Sequence, residues 1–215
     1  ACRNTPDRTQ QTNLPLVAVD TTTGKKVVDT TWASGSVHFT ADSSRVLVAE
    51  RSGRCRWFKL SNGDEDGGWV FPNPGPAHAH EFYSMSDDGS VIGYGGPGGK
   101  GGARGSLLLD GATGDTLRAL PEAAYSPHST LQVSGDGRRA AVLRNGGPGD
   151  NGRASIVDIL DTGTGDVVAR AAKVGLTNSV PTYRMTRDGR SLFIHEGDSG
   201  TFQMFDLPAD PKGAK

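Results

Sequence analysis

Cysteine is scarce: Cys2 and Cys55 are the only two in 215 residues. One bridge at most can form, so no disulfide framework carries the fold. Long apolar runs are missing as well, and no stretch approaches the roughly 20 residues that span a bilayer as a helix. Neither sign of charge dominates, with 23 Lys and Arg against 24 Asp and Glu and a formal net charge of −1. That balance gives no electrostatic case for nucleic acid or for an anionic membrane surface, which both ask for clustered basic side chains. Helical periodicity is absent too. No window keeps apolar residues at i, i+3, i+4 and i+7 for three turns, and Gly or Pro interrupts wherever one begins.

What the chain has in quantity is glycine, 31 residues against an apolar content of only 34%. Such a chain is either rich in tight turns or disordered. Regular apolar runs decide for turns. Four segments share an apolar strand, a short polar turn built around Asp, and a second apolar strand. They are Val37–Phe39 with Thr40-Ala41-Asp42-Ser43 and Val46–Val48, and Phe82–Met85 with Ser86-Asp87-Asp88-Gly89 and Val91-Ile92. The others are Leu131–Val133 with Ser134-Gly135-Asp136-Gly137 and Ala140–Leu143, and Tyr183–Met185 with Thr186-Arg187-Asp188-Gly189 and Leu192–Ile194. Each aspartate stands three residues after an apolar side chain: Phe39, Met85, Val133 or Met185. Asp-Gly between alternating apolar runs is a strong hairpin signal, because glycine accepts positive φ at little steric cost.

A second element recurs out of phase with the first: an apolar strand, Asp, a Thr/Gly turn, another strand. It appears at Val17–Gly24, at Leu107–Asp115 and at Ile156–Asp166, with Trp57–Asp64 as a degenerate copy. The two elements together supply four antiparallel strands per unit, the content of one propeller blade. The aspartates Asp42, Asp88, Asp136 and Asp188 recur at the roughly 40–50-residue period of such blades.

This alternation resembles bacterial WD40-like and YVTN-type β-propeller repeats. The resemblance implies an all-β chain, a β-propeller of about four four-stranded blades. Residues 14–208 would form the repeats, with a polar tether at 1–13 and a tail at 209–215. Neither the Trp-Asp pair nor the Gly-His dipeptide of the WD40 pattern is present. The first residues supply strands without a preceding partner, and the last unit lacks an obvious fourth strand. Three arrangements fit: a small closed ring, half of a dimeric ring, or part of a larger one.

Candidate sites follow from this frame. Two glycine-rich stretches occupy the same place in successive units, one containing Gly95, Pro97, Lys100 and Arg104, the other Asn145, Pro148, Asp150 and Asn151. They project from one face and are the expected contact loops. The first also matches the dinucleotide fingerprint, but no helix follows to hold a pyrophosphate. His80 and His128 each stand eight residues before their unit's aspartate, and His38 opens another first strand. Imidazoles converging on an axial channel would suit Cu or Zn. Asn62, Asp64 and Asp66 begin a calcium-loop pattern, yet Asn73 stands where a bidentate Glu is required. No Gly-x-Ser-x-Gly, His-Glu-x-x-His or Cys-x-x-Cys motif is present. His80 with Glu81, and His195 with Glu196, are neighbours on strands, so their side chains point to opposite faces.

Ala1-Cys2 followed by polar residues to Asn13 resembles the processed end of a bacterial lipoprotein, with a lipid anchor at Cys2. The alternatives are a Cys2–Cys55 disulfide or two unlinked, inert thiols; either of the first two readings argues for a place outside the cytoplasm, secreted, periplasmic or lipid-anchored. The functional expectation is an extracytoplasmic binding or assembly module that holds a protein or glycan partner through its loops. A YVTN-like enzyme or redox subunit, lactonase-like or metal-bearing, with chemistry at the axial channel, is the alternative.

Overall fold

The computed structural model describes residues 14–32, 35–50, 53–70, 82–96, 105–120, 131–144, 154–175, 182–196 and 200–209. Every regular element among them is a strand. A hairpin, β1 (Leu14–Val19) and β2 (Lys26–Trp32), forms a two-stranded sheet. Three four-stranded antiparallel meanders follow: β3 (Gly35–Phe39), β4 (Arg45–Glu50), β5 (Arg54–Lys59) and β6 (Glu65–Val70); then β7 (Phe82–Met85), β8 (Val91–Gly96), β9 (Gly105–Asp110) and β10 (Thr116–Ala119); then β11 (Gln132–Val133), β12 (Arg139–Arg144), β13 (Ala154–Asp161) and β14 (Val167–Gly175). A three-stranded sheet, β15 (Thr182–Met185), β16 (Ser191–Glu196) and β17 (Thr201–Asp206), closes the series. The two sequence elements map onto this order without exception. The Ser/Thr-x-Asp-Gly turns join first to second strands, and the Asp-x-x-Thr-Gly turns join third to fourth strands. By that rule β1 and β2 are a third and a fourth strand. They pair with each other rather than completing the last sheet.

Alternate side chains of each strand point to opposite faces, so a sheet placed between two others must be apolar on both. In β12, Ala140 and Val142 pack with Leu108 and Leu131 of one cluster, while Ala141 and Leu143 pack with Tyr183, Leu192 and Ile194 of the next. Leu47, Ala49 and Trp57 meet Ile92 and Leu109 in the same manner. Val28, Leu16 and Ala18 of the hairpin meet Val46, Val48 and Phe58. Four such cores stack the five sheets in sequence order. The first strands β7, β11 and β15 lie against one another, which puts first strands on the inner side of the stack.

Polar side chains stitch the same seams. Trp57 and Trp69 both donate through Nε1 to the Gly111 carbonyl, at 2.7 and 3.2 Å. Arg45 donates to Asp88 O at 3.0 Å and Arg118 to Gly163 O at 2.9 Å. Arg139 reaches both Gly189 O, at 2.9 Å, and Pro208 O. Each of these donors reaches the turn or segment at the edge of the following sheet.

Candidate functional site

In an antiparallel meander, turns joining strands one to two and three to four lie at one end of the sheet. Connections from two to three, and from four to the next sheet, lie at the other. Every Asp-built turn therefore belongs to one rim of the stack, here the turn rim.

The turn rim is internally satisfied. In three of the four first-to-second turns the Ser or Thr hydroxyl donates to the Asp: Ser86 to Asp88 at 2.8 Å, Ser134 to Asp136 at 2.6 Å and Thr186 to Asp188 at 2.8 Å. The amide two residues past the Asp donates to the same carboxylate in all four, at 2.9–3.1 Å. The hydroxyl also accepts from the amide that opens the second strand. Backbone bonds then link turn to turn, from Ala41 N to Asp87 O and from Asp87 N to Gly135 O, both 2.7 Å, and from Asp136 N to Arg187 O at 3.1 Å.

Hydrogen bonds to the ionised form stabilise it. The Ser44 amide, with the Thr40 and Ser44 hydroxyls, holds Asp42 down at about 2. The Thr23 and Thr22 amides lower Asp20, and the Thr113 amide, against some burial, lowers Asp110. At Asp188 the Thr186 hydroxyl and the Arg190 amide do the same. Burial pushes Asp88 up, but its bonds to Ser90 and Ser86 together outweigh that and leave it lowered. These carboxylates staple their turns through Oδ1, which accepts the turn's own amides and hydroxyls.

One side chain in this rim is strained. Ser43 has φ of 56°, where the sister turns place Gly89, Gly137 and Gly189. It lines a cleft of about 710 Å³ between the hairpin and the β3–β6 sheet, with Val19, Val27, Phe39, Leu60, Arg45 and Lys59 among the walls. The cleft lies on the inner side of β1, where no first or second strand accompanies the hairpin among the described residues.

The expected site residues fall as follows. Asn62 and Asp64 sit in the β5–β6 turn, where Asn62 Nδ2 donates to Asp64 Oδ2 and Asp64 N to Asn62 Oδ1. Asp66 lies on β6 and pairs with Lys59 Nζ at 3.0 Å. His38 is half-buried on β3, with Nε2 3.1 Å from Ser36 Oγ, and burial lowers its pKa. Among the described residues no three His, Cys, Asp or Glu side chains gather as a metal ion requires. Cys55 is buried beside Trp57 and Trp69. His80, His128, Cys2, Pro97, Lys100, Arg104, Asn145, Pro148, Asp150 and Asn151 lie outside the described residues. Gly95 is on β8, paired with Phe82 and Ser106. The two glycine-rich stretches connect β8 to β9 and β12 to β13, the second-to-third connections of adjacent sheets.

Composition and motif gave no warning of the buried charges around Arg56 and Asp158. Arg56 on β5 pairs with Glu50 at 2.7 Å and donates to Thr31 O at 2.8 Å and Thr30 Oγ1 at 3.2 Å, tying the hairpin to its neighbour. Asp158, fully buried on β13, lies 3.1 Å from Arg144 Nε and 3.0 Å from Arg170 Nε. A charged residue inside an otherwise apolar strand was the only available signal.

No protein-family model and no curated protein matches the sequence. Solved structures do match. The β-propeller domain of Cps50 (Swd1) from Myceliophteria thermophila superposes with a TM-score of 0.62 at 13% identity, over 94% of this chain and 61% of that one. KlAtg21, in complex with the coiled-coil of AgAtg16, gives 0.64 at 16% identity, over 91% and 59%. Kluyveromyces lactis Hsv2 gives 0.58 at 13%, over 92% and 57%. The chain thus spans about 60% of the length of these structures. At such identities the likeness is one of fold, and the fold is a β-propeller.

Proposed function

We propose that the chain is a binding or assembly module that holds a protein partner through the second-to-third connections 97–104 and 145–153. The observation that carries this reading is the asymmetry of the two rims. On the turn rim each Ser or Thr hydroxyl and one oxygen of each aspartate are engaged within the turns. The glycine-rich stretches, with Lys100, Arg104, Asp150 and Asn151, join second to third strands, and those strand ends lie at the opposite rim of adjacent sheets. KlAtg21, similar in fold, was solved with a coiled-coil bound, which supports a protein as the partner class. A glycan is the alternative. Kinship with the bacterial YVTN-type repeats belongs to the same proposal, supported by the turn pattern alone.

Affinity purification from cells that make the protein tests it. Three baits are compared: the wild type, a variant with 97–104 and 145–153 each cut to a two-residue turn, and a turn-rim control, Thr21→Ala, in the exposed β1–β2 turn. A protein held by the wild type and the control but lost from the trimmed variant supports the reading. Retention after trimming defeats it. A glycan array run with the same three baits reads out the alternative.

A further inference from the structure

Arg56 and Asp158 occupy equivalent places in their sheets with the signs of charge exchanged. Each stands three residues before the residue whose amide closes the third-to-fourth turn, Lys59 on β5 or Asp161 on β13. Their partners match as well. Glu50 is the last residue of β4 and lies 2.7 Å from Arg56, while Arg144 is the last of β12 and lies 3.1 Å from Asp158. The fourth strand supplies a further partner in both: Glu65, 3.9 Å from Arg56, and Arg170, 3.0 Å from Asp158. Register puts Asp158 opposite Val142 and Arg170, on the face where Val142 and Leu160 pack against the preceding sheet. What differs between the two sets is closure. Arg56 also donates to Thr31 O and Thr30 Oγ1 of the preceding sheet, and it and Glu50 are only 9% and 11% exposed. Among the described residues the Asp158 set makes no such bond to the preceding sheet. Arg144 and Arg170 are 32% and 52% exposed around a fully buried carboxylate.

The Asp158 set therefore carries a surplus of positive charge. Two guanidinium groups share one carboxylate, which meets each of them at Nε, so the Nη donors of both lie outside these contacts. A guanidinium fork takes a second carboxylate through parallel N–H bonds. Anchoring both side chains on a buried group also removes rotamer freedom that binding would otherwise have to freeze. Their place agrees with such a role, since the 145–153 connection leaves β12 directly after Arg144. Charge elsewhere on the molecule points the same way. The eight turns of the turn rim hold nine Asp against four Lys or Arg, so of the chain's 24 acidic and 23 basic residues the rest comprises 15 and 19. An acidic partner is repelled from that rim and drawn to the remaining surface. We propose that Arg144 and Arg170, seated on Asp158, form a receptor for a carboxylate, and that the protein partner presents an Asp- or Glu-rich segment to it. This rests on the partner-binding reading of 145–153 and names the chemistry of the partner.

Fluorescence anisotropy with the full chain and a labelled polyglutamate peptide tests this, with a Gly-Ser peptide of equal length as the neutral probe. Arg144→Gln with Arg170→Gln removes the receptor. Adding Asp158→Asn to that pair leaves no buried charge behind, and thermal transitions confirm which variants fold. Arg138→Gln with Arg190→Gln removes two positive charges from exposed places on the turn rim instead. The wild type is expected to bind polyglutamate but not the Gly-Ser peptide, and more weakly as salt rises. The double and triple receptor variants lose about tenfold or more in affinity, while the turn-rim variant stays within about twofold of the wild type. A wild type that ignores polyglutamate overturns the proposal. So does undiminished binding by the folded triple variant, or an equal loss from the turn-rim variant, which would mean general attraction by charge. The partner-binding reading is judged separately, by the fate of the partner on the trimmed bait. A partner lost on trimming, with a wild type that ignores polyglutamate, leaves that reading standing and this one overturned.

Discussion

Asp87 and Arg187, exactly 100 positions apart in sequence and two sheets apart in the stack, form an ion pair over Gly135 of the intervening turn. The glycine makes the crossing possible. A Cβ at Gly135 would stand 2.4 Å from Asp87 Oδ2 and 2.5 Å from Arg187 Cγ. Both neighbours are side-chain atoms, and Arg187 is largely exposed, so they can yield at the expense of the pair. Gly135→Ala is expected to lower stability by about 1 kcal/mol, and Arg187→Ala by about half that, in line with exposed ion pairs. In the Arg187→Ala background the Gly135→Ala cost shrinks, and urea unfolding of the four proteins measures that coupling.

The strained Ser43 gives a prediction of opposite sign. A left-handed backbone costs an L-residue about 1–2 kcal/mol, and glycine escapes that at some cost in unfolded-state entropy. Ser43→Gly is therefore expected to raise the urea midpoint, by a net stabilisation of about 0.5–1 kcal/mol. Gly89→Ala at the equivalent place goes the other way. It strains a φ of 75° and sets a Cβ 2.6 Å from Trp57 Cη2 in a core seam. About 3 kcal/mol of lost stability is expected from strain and overpacking together.

Acid should unfold the chain in two stages. His38 is lowered by burial, and a group whose folded pKa lies below its unfolded value contributes stability above the unfolded value. That contribution begins to fall once the pH drops below about 6.5. The turn aspartates Asp20, Asp42, Asp88, Asp110 and Asp188 are lowered in the same sense, Asp42 to about 2. Their contribution is complete above the unfolded value of 3.8 and is lost as the pH falls from there towards 2. Thermal midpoints recorded from pH 8 to pH 2, a range of about six units chosen to bracket both stages, check this. His38→Asn flattens the upper stage, and Asp42→Asn weakens the lower one.

The buried charges are expected to be the least tolerant polar sites. Removing one partner of a buried pair leaves an uncompensated charge, at about 3–5 kcal/mol. Glu50→Ala strands Arg56 inside the seam with the hairpin, whereas Asp158→Ala leaves Arg144 and Arg170, whose side chains reach solvent, and is expected to cost less. Arg56→Met with Glu50→Leu removes both charges and is expected to cost markedly less than Glu50→Ala. Denaturant titration of these variants distinguishes a charge effect from a packing effect.

The turns were legible because their chemistry is local. Ser134-Gly135-Asp136-Gly137 carries its own hydroxyl, carboxylate and glycine within four residues, and Leu109-Asp110 with Thr113-Gly114 does the same. The strand alternation was legible too, since Ala140 to Leu143 must satisfy two cores at once. What could not be read was anything set by a distant partner. Arg56 finds Thr31, and Asp87 finds Arg187, only once the sheets are stacked. The hairpin's separate sheet was hidden for the same reason. β1 carries the turn of a third strand, but whether it joins β17 depends on the whole stack.

The central claim, that one rim is spent on structure and the other is for partners, is tested most directly by site-specific photocrosslinking. A photoreactive residue is placed at Lys100 or Asn151, and in parallel at Thr21 or Arg190 on the turn rim. The account predicts one crosslinked partner band from each of the first two positions and none from the last two. The same band from Thr21 or Arg190, with none from Lys100 and Asn151, would contradict it.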